Sequence, residues 1–244
     1  MSLKPLGVIL TVMRWNRPAW WVFNAALFLY QIIMLSAGKL IGIIIISLEA
    51  LWDIISIILF GHILDTENNW PIFNKFEELF DVSWSEIFHA TQICHVRVKL
   101  RGNDALSITA PNAKIEGFWT EELIENSKGH FIYREPNFII NEAMIERAVG
   151  YAEKLVGSMV SRGYDYLQIL GYLVNLPIWL LWWPSYGKQV IPWFNLPGGR
   201  EVCSSGAIAL LRYALGWLLC FAGFSNSMFC PALLFISKKW KEVL

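Results

Sequence analysis

From Ala19 to Leu64 the chain is almost wholly Ile, Leu, Phe, Trp, Val and Ala, more than twice the ~20 apolar residues a bilayer-spanning helix needs. No compact domain of this size buries such a run within itself, so a lipid or dry protein environment is implied. Overall composition agrees: 55% of the 244 residues are hydrophobic, 13 are tryptophan, and mean hydropathy is +0.43. Two arrangements fit the run, a hairpin turning near Ser36-Ala37-Gly38-Lys39 or one long helix. It is too long for a signal-peptide core and no small-residue cleavage site follows, so it is expected to stay in the mature protein.

Within the run, Lys39, Gly42, Ile46, Glu49, Asp53 and Ser56 recur at alternating spacings of three and four and form one stripe on a helix. Charged groups in such a stripe avoid lipid. Self-association through Lys39, Glu49 and Asp53, or an aqueous lumen, is expected, with Leu and Ile facing outward. Lys4, Arg14 and Arg17 precede the run with no acid among them, while Asp65, Glu67, Glu77, Glu78, Asp81 and Glu86 follow it. The positive-inside tendency puts the N-terminus in the cytoplasm of a cellular membrane protein. One crossing would then place the rest of the chain outside, facing the wall, and two would return it. A bacterial inner membrane or a phage particle is the expected location.

Formal net charge is zero, from 20 basic and 20 acidic residues, with no basic run and no phosphate-binding glycine loop. Nucleic acid is therefore excluded as an expected partner. Cys94, Cys203, Cys220 and Cys230 show no C-x-x-C spacing, and His62, His89 and His130 lack partners at metal-ligand spacing. No metal or other cofactor is expected.

Chemistry centres on His95 and Cys203. From Ile93 to Leu100 the chain alternates, Cys94, Val96, Val98 and Leu100 on one side, His95, Arg97 and Lys99 on the other, as in a half-buried strand. Cys203 follows Pro197-Gly198-Gly199 and precedes Ser204-Ser205-Gly206-Ala207, the first turns of an apolar helix ending near Phe224. Unpaired N–H groups and the positive end of the helix dipole there favour a thiolate, and a nearby imidazolium would lower the thiol pKa further. Cys94, Cys220 and Cys230 lie in apolar surroundings and read as core residues.

The order Cys94-His95-Val96, Ser107-Ile108-Thr109-Ala110-Pro111, Tyr133-Arg134, Gly163-Tyr164-Asp165-Tyr166, Cys203-Ser204 resembles the circularly permuted branch of the NlpC-type papain-like cysteine hydrolases, over about 150 residues. The resemblance implies an α+β fold, a small antiparallel sheet packed on a nucleophile helix. Cys203 would be the nucleophile, His95 the base, and Thr109 the group orienting the imidazole, standing where relatives usually place a carboxylate. The backbone N–H of Cys203 would serve as oxyanion donor, Tyr164 would border the oxyanion site, and Asp165 would tie strand to helix. The expected activity is cleavage of an amide bond in peptidoglycan stem peptides by a membrane-associated hydrolase, with a phage-borne wall-penetrating component as one setting. The alternatives are a lipid acyltransferase or thioesterase of the same fold, or an inactive structural or pore-forming component.

The expected organisation is a hydrophobic helical region over 1–64, an acidic helical linker over 65–90 and the hydrolase domain over 91–244. Helical patterning is read over 116–126 and 141–160, and the stretch 166–196, broken by Pro177, Pro184 and Pro192, reads as an aromatic-rich insertion.

Overall fold

The structure, a computed structural model, describes residues 3–15, 21–61, 81–109, 112–127, 129–162, 202–216 and 230–243. The fold is α+β. Six strands form one antiparallel sheet: β1 (Val8–Val12), β2 (Ile93–Lys99), β3 (Ala105–Thr109), β4 (Asn112–Glu116), β5 (Phe131–Pro136) and β6 (Trp240–Glu242), ordered β4-β3-β2-β1-β5-β6. The described helices are α1 (Trp21–Phe60), α2 (Trp84–Ala90), α3 (Glu121–Asn126), α4 (Glu142–Arg162), α5 (Cys203–Leu215) and α6 (Pro231–Ile236).

Val8–Val12 corrects the expected division of the chain. These residues, inside the region read as purely helical, form an interior strand paired with β2 on one side and β5 on the other. The sequence Val-Ile-Leu-Thr-Val is rich in β-branched side chains, which suit a pleated surface. Val8 and Leu10 enter the main core and Ile9 a smaller one on the opposite face. Gly7 just before the strand is required by space, because a Cβ there would lie 2.5 Å from the Tyr133 ring.

Both faces of the sheet are covered, unequally. On the face of Val8, Leu10, Val96, Val98, Leu106 and Ile108, helices α4, α5 and α6 and the N-terminal part of α1 build the main core. On the other, Leu3, Ile9, Ala105, Trp119, Ile124 and Tyr133 form a smaller cluster that includes one turn of α3. Local signals set the helix starts. Ser83 and Glu86 form a reciprocal capping box at α2, Thr120 caps α3, and the Asn141 side chain accepts from the Met144 amide at α4. Glu116, read as a helix start, instead ends β4, and the helix begins at Glu121.

Helix α1 is one continuous helix of 40 residues, not a hairpin turning near Ser36, and is long and apolar enough to cross a membrane. Its two parts differ. Leu27, Tyr30, Gln31, Met34 and Leu35 are buried against the domain, whereas Leu40, Ile43, Ile44, Leu48, Leu51, Ile54, Ile57 and Ile58 are exposed. The exposed part spans about 20 residues, or roughly 30 Å at 1.5 Å per residue. Along it, Lys39, Gly42 and Ser56 are buried and Ile46 and Asp53 half-buried, so the described residues of the polar stripe are less exposed than the Leu and Ile around them. Lys39 is engaged within the chain, donating to the Val82 carbonyl at 2.5 Å.

Gln31 ties α1 to the sheet domain. It is 0% exposed, donates through Nε2 to the carbonyls of Thr91 (3.1 Å) and Ile93 (3.0 Å), and accepts through Oε1 from the Ala232 amide (3.1 Å). Leucine has similar bulk but strips three backbone groups of their partner, each costing about 1–3 kcal/mol when buried and unpaired. Gln31→Leu is therefore expected to destabilise the protein by on the order of 3 kcal/mol, read as a lowered denaturation midpoint in detergent micelles.

Candidate functional site

The pleat of β2 decides the fate of the expected dyad. Antiparallel partners share a face, and the pairs Thr11↔His95, Ile9↔Arg97 and Arg97↔Ser107 put His95, Arg97 and Ser107 with the smaller cluster. Cys203 is buried with Ala207, Ile208 and Leu211 of α5 in the main core, among Val96, Val98, Leu106 and Ile108. The structure does not bring His95 and Cys203 together, because the sheet lies between them. Cys94, one residue earlier, faces the helix. Thr109 ends β3 on the His95 face, paired with Asn112, and Ser107 on the same strand brings its Oγ to 3.5 Å from His95 Nε2. Tyr164 and Asp165 lie outside the described residues.

Cys203 does open a helix, as the sequence suggested. It follows the extended N-cap Val202, whose amide donates to Ser205 Oγ at 3.0 Å. The environment is dry: Cys203 is 5% exposed, and Cys94 and Cys230 lie close enough to feel its charge. Burial pushes the Cys94 thiol up to about 12, with the neighbouring Cys203 adding to it and the Arg97 charge opposing. Burial likewise raises Cys230 to about 12, against the pull of backbone amides at Leu233 and Ala232. The Cys94 Sγ donates to the Thr11 carbonyl at 3.4 Å, and none of the three sulfurs is in a disulfide. Desolvation disfavours thiolates at Cys94 and Cys230, and these two sulfurs pack as small hydrophobes.

The opposite face holds a charged cluster that sequence reading did not assemble. Arg97 Nε donates to Glu116 Oε2 at 3.2 Å, its Nη1 donates to Thr11 Oγ1 at 2.7 Å, and the guanidinium lies 4.7 Å from the Trp119 ring centre. Glu116 also accepts from Trp119 Nε1 and pairs with Lys114 Nζ, both at 2.9 Å. Burial alone would raise the Glu116 carboxyl, but hydrogen bonds from Lys114 and Trp119 and the Arg97 charge outweigh it and hold it below its usual range. His95 is held well below its ordinary value by burial first and by the Arg97 charge second, so its imidazole is neutral. Lys99, on the same face, donates to the Gly102 and Asp104 carbonyls, and burial brings it down to about 8. Alternation alone gave His95, Arg97 and Lys99 a common side, but nothing local announced that Trp119 and Glu116 would cover it.

Among the described residues no group of three His, Cys, Asp or Glu side chains is arranged to hold a metal ion. The arrangement chemically provides a neutral imidazole beside a permanent cation on one face and the unionised thiols of Cys94 and Cys230 on the other. Compared with known protein families, curated proteins and solved structures, the chain matches none of them.

Two outcomes are expected. With thiols near 12, Cys94 and Cys230 should alkylate with iodoacetamide at pH 8 about 10³-fold more slowly than an unperturbed thiol near 8.5, which mass spectrometry of the adducts reads directly. The folded-state pKa of His95 lies below its ordinary 6.5, so its contribution to stability is complete above that pH and is lost as the pH falls below it. Denaturation midpoints should decline as the pH is lowered from about 6.5 toward about 4.5 in the native protein, and His95→Gln should flatten that decline.

Proposed function

We propose that the chain is a membrane-inserted structural component, in which α1 carries the α+β domain on a bilayer and the sheet is a scaffold instead of a hydrolytic centre. The observation that carries this reading is the sheet between His95 and Cys203, which keeps apart the two side chains that the hydrolase reading pairs. The exposed apolar surface of α1, about one bilayer thickness long, supports insertion. Topology adds to it. β1 precedes α1 and β2 follows it, yet they are neighbours in one sheet. The strands before and after α1 therefore lie on the same side of any bilayer it enters. By the positive-inside tendency that side is cytoplasmic, away from wall peptides.

The cysteine hydrolase acting on stem peptides keeps one favourable observation, the placement of Cys203 as the first residue of a helix packed on the sheet. It would need a base on the helix face, where His95 is not. Lipid acyl transfer through Cys203 would likewise have to proceed with a base other than His95.

Two experiments test the proposal. In vesicle flotation the protein should rise with lipid, and replacing Ile44, Leu48 and Ile58 together by Asp should leave it at the bottom of the gradient, since a charge at mid-bilayer costs about 3 kcal/mol on insertion scales. In a substrate screen with stem peptides and acyl thioesters, the intact protein should release no more product than Cys203→Ala or His95→Ala. Product release that both variants abolish would overturn the scaffold reading.

A further inference from the structure

Helix α2 runs antiparallel alongside α1. Its start is fixed where Lys39 Nζ donates to the Val82 carbonyl, and its end where Gln31 Nε2 donates to the Thr91 carbonyl. The level of Lys39 is also where α1 changes, from docked on the domain to bare. At that level α2 presents Trp84 and, one turn on, Phe88, which lie on one side of the helix at i and i+4. Ile87 and Ala90 are buried, while Trp84 is 51% and Phe88 54% exposed. The Lys39 ammonium sits 5.8 Å from the Trp84 ring centre. Large aromatic rings left in the open are unfavourable in water, and a tryptophan beside a lysine at the end of an apolar span is the composition of a membrane–water boundary.

We propose that Trp84 and Phe88 insert into the headgroup layer of the bilayer and set the depth at which the domain rides; this rests on the reading that α1 enters a membrane. The dimensions agree. If Leu40 marks the hydrocarbon edge, the bare part of α1 covers the ~30 Å core, and Phe88, about 6 Å along α2 from Trp84, stays within an interfacial layer ~5–7 Å deep. The occupant is lipid, because Trp84 stands beside Lys39, the residue next to Leu40 where the exposed apolar part of α1 begins.

The full-length protein reconstituted in phosphatidylcholine vesicles, brominated either near the glycerol backbone or near the acyl-chain terminus, tests this by tryptophan quenching. The emission lost in Trp84→Phe is the Trp84 component, and it should be quenched about twofold more by shallow than by deep bromines, as for an interfacial ring. Phe88→Trp should add a component with the same preference. The Trp52 component, obtained with Trp52→Phe, reports α1 itself and should be quenched by deep bromines. Deep quenching of Trp52, with no quenching of Trp84 or of the indole that Phe88→Trp introduces, would overturn the interfacial contact while leaving the anchor standing. A protein partner or a second copy would then be the cover of α2. Absence of quenching at Trp52 as well would overturn both.

Discussion

Everything in this architecture depends on β1 lying between β2 and β5. Backbone hydrogen bonds on both of its edges join β4-β3-β2 to β5-β6, and without it the sheet would fall into two fragments, each with an unpaired edge. Its side chains serve both layers at once, Val8 and Leu10 in the main core and Ile9 beneath Tyr133. The chain then departs through α1 and supplies the partner strand β2 only at Ile93, so the apolar helix is an excursion between two neighbouring strands of one sheet.

A one-residue distinction follows from that pairing. The pairing shifts register beside Cys94, so Ile93 and Cys94 pack with the main core, while the register with Thr11 and, through Arg97, with Ser107 assigns the imidazole to the side away from α5. The protein thus holds two separate polar chemistries. One is the pair of thiols, Cys94 and Cys230, that burial keeps protonated. The other is a guanidinium held by a carboxylate, a hydroxyl and an indole ring, next to an imidazole that burial keeps neutral.

Elements with a long or strongly periodic local pattern were readable from sequence. The apolar run became α1, the alternation over residues 93–100 became β2, and the residues after Cys203 became a helix. What escaped was non-local. Val8–Val12 is five residues near a much longer apolar stretch, and only its two distant partners make it a strand. The helix at Cys203 was readable, but which face of the sheet it would cover was not, since a helix N-terminus carries no record of what it packs on. The same holds for Glu116. Its local context reads as a helix start, but bonds from Arg97 and Trp119 fix it at the end of a strand.

Gln31 gives α1 a further property. The helix continues without a break from the residues that Gln31 fastens to the sheet into the bare part beyond Lys39, so no hinge separates anchor from domain. Transmembrane helices answer a mismatch with bilayer thickness by changing tilt. With α1 inserted as proposed, any such change would swing the whole sheet through the same angle, which would make the orientation of the domain a mechanical gauge of how thick the surrounding lipid is.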